Sequence, residues 1–542
     1  MKKYISVMVS AAVCLSSLPF CVNAFSFIDE ENERWDGTSD ILWYNEAETT
    51  FSITTPEELA GLAELVNGGN SFEGKTVNLE ADIYINDYIK VETDWGSKTE
   101  LSSFMWTPIG MDTPFSGIFN GNGYMVHGLK TENCENSGLF GMLDSAVIKN
   151  VILEEGTVNG TSKSGGICGY AVGTQFINCT NGAEISAYSE ENSVFAGGIA
   201  GFADDSVFDN CSNYVIIKSE SVSGESYAGG IAGIAQGTEF VICENLGIGG
   251  MLVKSEEKNV YGGGICGFGA KSIRQCVNEA IVGGISAQKT TYAGGLIGLG
   301  TCRDDFTEIS ESMNSGSAVA SKSAAGFAGG ISGKGGTITD CVNSGAVGAV
   351  QGNADCYIGG IAGSMAYLGN CVNFGAVVKS SDSEVGSDSE NALVLGGLIG
   401  DSASSELVNS YYLETAAEYA SGSDTSIIAS KTEEELLSAE FAELMGEKYI
   451  YCEGGIPVPV CCYAPVAGDI NSDGTIDSID AVLLRKGLTE GFGTISQRMA
   501  ADVTENKVKN ANDLQCVRDY ILGERNDFDS VYESSGSNNF FT

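Results

Sequence analysis

Histidine is almost missing: His127 is the only one in 542 residues. That shortage excludes a Ser-His-Asp triad, an HExxH zinc site and any multi-histidine metal cluster. His127 itself sits in GNGYMVHGL and reads as a structural residue beside a turn. Proline is also scarce, at 7 against 72 glycines. With neither a Gly-X-Y period nor proline enrichment, collagen and low-complexity disorder are poor descriptions, and 43% hydrophobic residues support a packed protein. Basic residues are the third shortage: 28 Lys and Arg face 72 Asp and Glu, a formal charge of −44. So acidic a chain repels nucleic acid and anionic membranes, and it suits solubility and calcium. Past residue 24 no stretch has the ~18–20 apolar residues of a membrane span.

Glycine is what the chain has in excess, and it is patterned. The phrase Gly-Gly-(Ile/Leu)-x-Gly starts at Gly165, Gly197, Gly229, Gly263, Gly294, Gly329, Gly359 and Gly396, with a looser SGLFG at Ser137. Starts lie 30 to 37 residues apart, the period of a solenoid whose units bury their apolar faces on one another.

Three columns accompany the phrase. An aromatic precedes it by two residues at Phe195, Tyr227, Tyr261, Tyr292, Phe327 and Tyr357. Each shares strand parity with the Ile or Leu of its phrase, so both are expected to face the interior as a core stack. The alternative is an exposed platform for stacking sugars. A Cys-x-Asn step follows, with Cys179, Cys211, Cys243, Cys276, Cys341 and Cys371 expected as a ladder of buried thiols, the alternatives being metal binding or disulfides. Its Asn181, Asn213, Asn245, Asn278, Asn314, Asn343 and Asn373 suit a hydrogen-bonded ladder at a corner, where Asn tolerates left-handed backbone. A short β-prone run closes each unit. Three short strands per coil describe a parallel β-helix, expected to be right-handed. The glycine phrases resemble GLUG-motif repeats of secreted bacterial proteins, a group that includes adhesin-like proteins and regions attached to immunoglobulin-cleaving metallopeptidases. The peptidase motif is absent here.

The flanks read as caps and a leader. Residues 1–24 have the form of a secretory signal peptide, with Lys2, Lys3, an apolar stretch and a Val22-Asn23-Ala24 cleavage site. Thr55-Pro56-Glu57-Glu58 is a capping box opening a helix with Leu59, Leu62, Ala63 and Val66 on one face and Gly68 at its end. Thr432 to Glu435 is a second capping box, followed by Leu436, Leu437, Ala439, Phe441, Leu444 and Met445. One helix is expected to plug each end of the solenoid, with GGIPVPV from Gly454 as a last edge strand.

The segment GDINSDGTIDSIDAVLLRKGL from Gly468 is the most specific signal. Asp469, Asn471, Asp473, Gly474, Thr475, Asp477 and Asp480 occupy positions 1, 3, 5, 6, 7, 9 and 12 of an EF-hand-type loop, the oxygen spacing that wraps calcium. A second half from Ala501 places Asp502, Thr504, Asn506, Asn510 and Asp513 at positions 1, 3, 5, 9 and 12, with Lys507 replacing the glycine. Fewer carboxylates and a nearby cation make this the weaker loop. The duplicated loop-helix unit resembles a type I dockerin, the module that plugs secreted proteins into cohesins on a cellulosome scaffold. That resemblance implies calcium as cofactor and a cohesin as partner. It also implies partner contacts at Ser478, Ile479, Arg485 and Lys486 in one half and at Ala511, Asn512, Arg518 and Asp519 in the other.

Dockerins ride on proteins that attack plant polysaccharide, so the resemblance also raises polysaccharide binding, or a β-helical glycoside hydrolase or pectin lyase. The candidate carboxylates are Asp204 with Asp205 and Asp304 with Asp305. Three coils at ~4.8 Å each separate the pairs by about 14 Å, beyond the roughly 5–9.5 Å a glycosidase needs. No catalytic residue is assigned. The expected organisation is a mainly β chain: signal peptide 1–24, N-terminal cap and first strands 25–136, β-helix 137–412, C-terminal cap 413–465, a small all-α calcium-binding dockerin 466–525 and a polar tail 526–542. The expected location is extracellular, on a cellulosome or the cell surface.

Overall fold

The computed structural model describes residues 35–523, apart from 87, 94–95, 102–103, 248, 304, 322–324, 351–354, 380–392, 404, 425–428, 452–455, 463–465, 472–474 and 505–508. The leader, the 526–542 tail, Asp304, Asp473, Gly474, Asn506 and Lys507 lie outside the described residues.

The chain winds as a parallel β-solenoid of about 8 turns. One coil shows the rule: strands Ala200–Asp204, Val207–Asp209, Ser212–Asn213, Ile217–Ser221 and Ser226–Gly229 follow one another. Each pairs in parallel one coil later, Ala200 with Ala232, Val207 with Glu239, Ser212 with Glu244, Ile217 with Met251 and Ser226 with Val260. Five short strands therefore replace the expected three. The reason is that single residues in the left-handed region, such as Asp205 (φ 45°) and Asn210 (φ 56°), turn the chain, and pairing resumes at once. Even the bends stay bonded, with Gly198 N donating to Gly230 O at 3.1 Å and Asn210 N to Val241 O at 3.0 Å.

The glycine phrase is explained by close approach. A Cβ on Gly197 would lie 2.0 Å from Ala200 O, and one on Gly198 would lie 2.2 Å from Gly230 O on the next coil. Ile199, Ile231 and Ile265 then enter the core fully buried. The cysteine column is buried among them, each Cys with no exposure. Its thiols reach backward along the stack, as Cys211 Sγ does to Phe176 O at 3.5 Å and Cys243 Sγ to Phe208 O at 3.5 Å. Within the column Cys179, Cys211, Cys243, Cys276 and Cys371 are free thiols. Burial pushes the Cys266 and Cys371 thiols up to about 12, so they sit as protonated apolar groups.

The Asn column forms a continuous amide ladder. Asn181 Nδ2 donates to Asn213 Oδ1 at 2.9 Å, and the relay continues through Asn245, Asn278, Asn314 and Asn343 to Asn373, which donates to Gly397 O at 2.9 Å. These residues do not supply the left-handed corner. That conformation falls three positions earlier, at Asn178, Asn210, Ile242, Gln275, Glu311, Asp340 and Asn370.

The aromatic column runs up the outside. Val194 and Ala196 point inward with no exposure, whereas Phe195 between them lies half-buried on the outer face. Shared parity with Ile199 fails because the chain folds back at Gly197 and Gly198, interrupting the alternation. The rings stack face to face along the axis, with centroids 5.2 Å apart for Phe195 and Tyr227 and 4.6 Å for Tyr227 and Tyr261. The interior stack is a different one, Phe176, Phe208 and Phe240.

Helix α1 (Pro56–Asn67) starts at the Thr55 capping box and buries Leu59, Leu62, Ala63 and Val66 in the core of the first coils. The second capping box yields two helices, α2 (Glu433–Leu436) and α3 (Ala439–Met445), because Ser438 caps a new start. Leu436, Phe441 and Met445 pack on Val342, Val372 and Tyr411, the outer flank of successive coils, and Leu444 is exposed. This pair thus lies along the side and not across the open end. The end itself is covered by the following half-coil, whose Ala420 O accepts from Leu398 N and Ile399 N. The expected edge strand is seen as Val458–Pro459, antiparallel to Tyr449–Ile450. Three further helices follow: α4 (Ser478–Glu490), α5 (Ile495–Ala500) and α6 (Ala511–Ile521).

Candidate calcium-binding and docking site

Two loops, each leading into a helix, are built the same way. In the first, the Asp480 carboxylate is fully buried; its Oδ1 accepts from Ile470 N (2.8 Å) and Asn471 N (3.2 Å), and its Oδ2 accepts from Asp477 N (2.9 Å). In the second, Asp513 is equally buried; its Oδ1 accepts from Thr504 N (3.1 Å) and Oγ1 (2.8 Å), and its Oδ2 accepts from Asn510 N (2.8 Å). Asp477 caps α4 through Ile479 N at 2.7 Å, and Asn510 caps α6 through Asn512 N at 2.7 Å. The duplication read from spacing is therefore one of hydrogen bonding as well. A shared apolar centre of Ile470, Leu484, Phe492, Ala501, Val503 and Val517 holds the halves together.

Oxygen donors of the kind a hard cation takes lie at both loops, although among the described residues no three His, Cys, Asp or Glu side chains converge on one point. Asp469 and Asp480 are both buried at one loop, and Asp502, Thr504, Asn510 and Asp513 gather at the other. Burial pushes the Asp513 carboxyl up to about 6, and the Asp502 charge adds to the push. Carboxylates crowded out of water in this way are what a bound cation relieves. The structure also places a cation at the second loop that the spacing did not flag: Lys509 Nζ lies 3.8 Å from Asp502 Oδ2. Thr475 is exposed and Asn471 half-buried.

The expected partner positions face outward. Ser478, Ile479, Arg485, Lys486, Ala511, Asn512 and Arg518 are exposed, and Asp519 is half-buried beside Gln515 and Arg518. Sequence reasoning missed Val482, 66% exposed one helical turn after Ile479, which is 53% exposed. Together they make an apolar spot on α4. It also missed α5, whose Arg498 is buried.

Against known families, residues 467–522 match the dockerin type I domain model. This segment is a dockerin type I domain. Dockerin domains of this type bind calcium and dock their proteins onto cellulosomes through cohesins. The chain is also similar to a multidomain esterase of Ruminococcus flavefaciens, 36% identical over 63 residues, which is 12% of this chain and 8% of that protein. Among solved structures, a candidate immunoglobulin A1 protease from Bacteroides ovatus aligns with 76% of this chain and 92% of its own, at 15% identity and a TM-score of 0.34. Among the described residues no helix is long and apolar enough to cross a membrane.

Among the described residues no comparable site emerges on the solenoid. Asp204 and Asp205 are engaged by Arg303, whose Nη2 lies 3.3 Å and 2.7 Å from their carboxylates. His127 stacks on Tyr84 with centroids 4.3 Å apart and pairs with Glu154 at 3.3 Å, a structural role.

Proposed function

We propose that this chain is an exported cellulosome component that docks, in a calcium-dependent way, onto a scaffold cohesin through its C-terminal dockerin and presents the β-solenoid as cargo. Asp469, Asn471, Asp473, Thr475, Asp477 and Asp480 are the ligands of a firm calcium site. Asp502, Thr504, Asn506, Asn510 and Asp513 form a weaker one beside Lys507 and Lys509. The observation that carries the reading is the matched pair of loops closed by Asp480 and Asp513, with α4 and α6 outward. Ile479, Val482, Arg485 and Lys486 are the main cohesin-facing surface. Retention of the full chain on immobilised cohesins tests it. V482D combined with I479D should lower retention at least tenfold while leaving calcium binding intact; unchanged retention contradicts that face.

The cargo role proposed for the solenoid is polysaccharide or surface binding. The aromatic column favours packing over a sugar platform, because successive rings stack face to face and Tyr227 and Tyr261 are buried, which occupies the faces a sugar would use. Arg303 likewise ion-pairs with Asp204 and Asp205, the described carboxylate pair singled out by sequence. Binding without turnover on a panel of pectin, xylan and starch is the expected result, and release of reducing sugar or unsaturated product would establish the enzyme instead.

A further inference from the structure

We infer that the solenoid carries a built seat for its own dockerin, so that the module is held in one orientation with its partner-facing helices outward. The seat goes beyond cohesin docking and stands whether or not a cohesin is the partner.

Two columns on one flank change character where the module lies. The first is the left-handed corner, occupied by Asn178 and Asn210 and then, one coil on, by Ile242 at φ 55°. A β-branched residue is sterically disfavoured there, and nothing in the coil repeat asks for it. Ile242 is only 4% exposed and packs with Val277, Cys462 and Met499, the last of these from α5. Its neighbours in the column grip the module's backbone. Asn178 Nδ2 donates to Leu488 O at 3.1 Å. Asn210 accepts from Phe492 N at 3.0 Å and donates to Phe492 O at 3.1 Å, as a backbone strand would.

The second column is the middle residue of Cys-x-Asn: Thr180, Ser212, Glu244, Val277, Met313, Val342 and Val372, paired coil to coil. These side chains point outward. The apolar end of the column is covered by the C-terminal helical pair and the polar end by the dockerin. Glu244 is the one carboxylate among them. Its Oε2 lies 3.1 Å from Arg498 Nε and 3.0 Å from Lys509 Nζ, and Arg498 also donates to Asn210 O (2.5 Å) and Ser212 Oγ (2.8 Å). Arg498, Glu244 and Lys509 are 1%, 2% and 5% exposed. Buried charges hold only when each is paired and hydrogen-bonded, and here the pairing is completed across the two parts of the chain. Lys509 is position 8 of the second loop, so the seat reaches the calcium site itself.

Hydrogen exchange and small-angle scattering of the full chain test the seat. The wild type should scatter as one compact particle and protect the Phe492 amide. E244R sets a third cation against Arg498 and Lys509, and it should lose that protection by roughly a hundredfold and lengthen the particle. Solenoid circular dichroism should be unchanged, and E244R combined with R498E should recover part of the protection. If E244R loses the solenoid signal, M499D, which alters only the module's side, gives the same reading. A wild type whose scattering requires a detached module, or an E244R chain with Phe492 still protected, overturns the seat. Cohesin retention by E244R at saturating calcium tests docking separately, since the exposed faces of α4 and α6 carry none of the seat's contacts.

Discussion

Asn245 sits mid-ladder, accepting from Asn213 Nδ2 at 3.0 Å and donating to Asn278 Oδ1 at 2.9 Å in a site closed to water. N245A removes both bonds, while Asn213 Nδ2 keeps Val215 O at 3.0 Å and Asn278 Oδ1 keeps Ala280 N at 3.3 Å. The expected cost is about 1 kcal/mol for each lost bond, read as a lower denaturation midpoint of the solenoid. At the calcium loops, D480N should weaken calcium binding more than D513N, because the second loop already carries Lys509 beside Asp502; calorimetry on the full chain decides the order. Much of this scale was legible. The buried cysteines and the Asn relay follow from recurrence alone, since identical residues on successive coils must stack. What misled was parity: it holds within a strand, and Phe195 and Ile199 lie on opposite sides of a glycine bend. The left-handed corner belongs to a different Asn column from the amide ladder. Two Asn columns flank each cysteine in the early coils, and only the one preceding it breaks down to Ile242, Gln275 and Glu311 later.

At the scale of elements, capping boxes located helix starts well, as α1 shows. Thr432 began a helix too, but Ser438 restarted it and turned the pair onto the flank. The clue was present in the Cys-x-Asn middle residue, which becomes Val277, Met313, Val342 and Val372 where helices cover it. No local pattern marked α5, because its role is set by a partner more than 250 residues away in sequence, Glu244. The pairing makes the seat acid-sensitive. Burial pushes the Glu244 carboxyl up, but Lys509 and Arg498 outweigh that and hold it below its ordinary 4.5. Its contribution is therefore complete above that value and is lost as the pH falls through the lowered one. Asp209, raised by burial with Arg498 nearby, acts in the opposite sense and softens the transition. Exchange at Phe492 should accelerate as the pH falls below the ordinary glutamate value, before the solenoid unfolds; acceleration on raising the pH instead would contradict the pairing.

For the whole molecule, the solenoid's residues are consumed by packing: glycines for close approach, cysteines and phenylalanines for the core, asparagines for the ladder. These described residues are set by packing, and on the proposed reading docking is the task of the dockerin domain at 467–522. The most direct test is a titration of cohesin into the full chain with calcium present, repeated after chelation and again after calcium is restored. Binding that disappears on chelation and returns with calcium is predicted. Binding indifferent to chelation, or none with any cohesin while both calcium loops are filled, would contradict calcium-dependent docking.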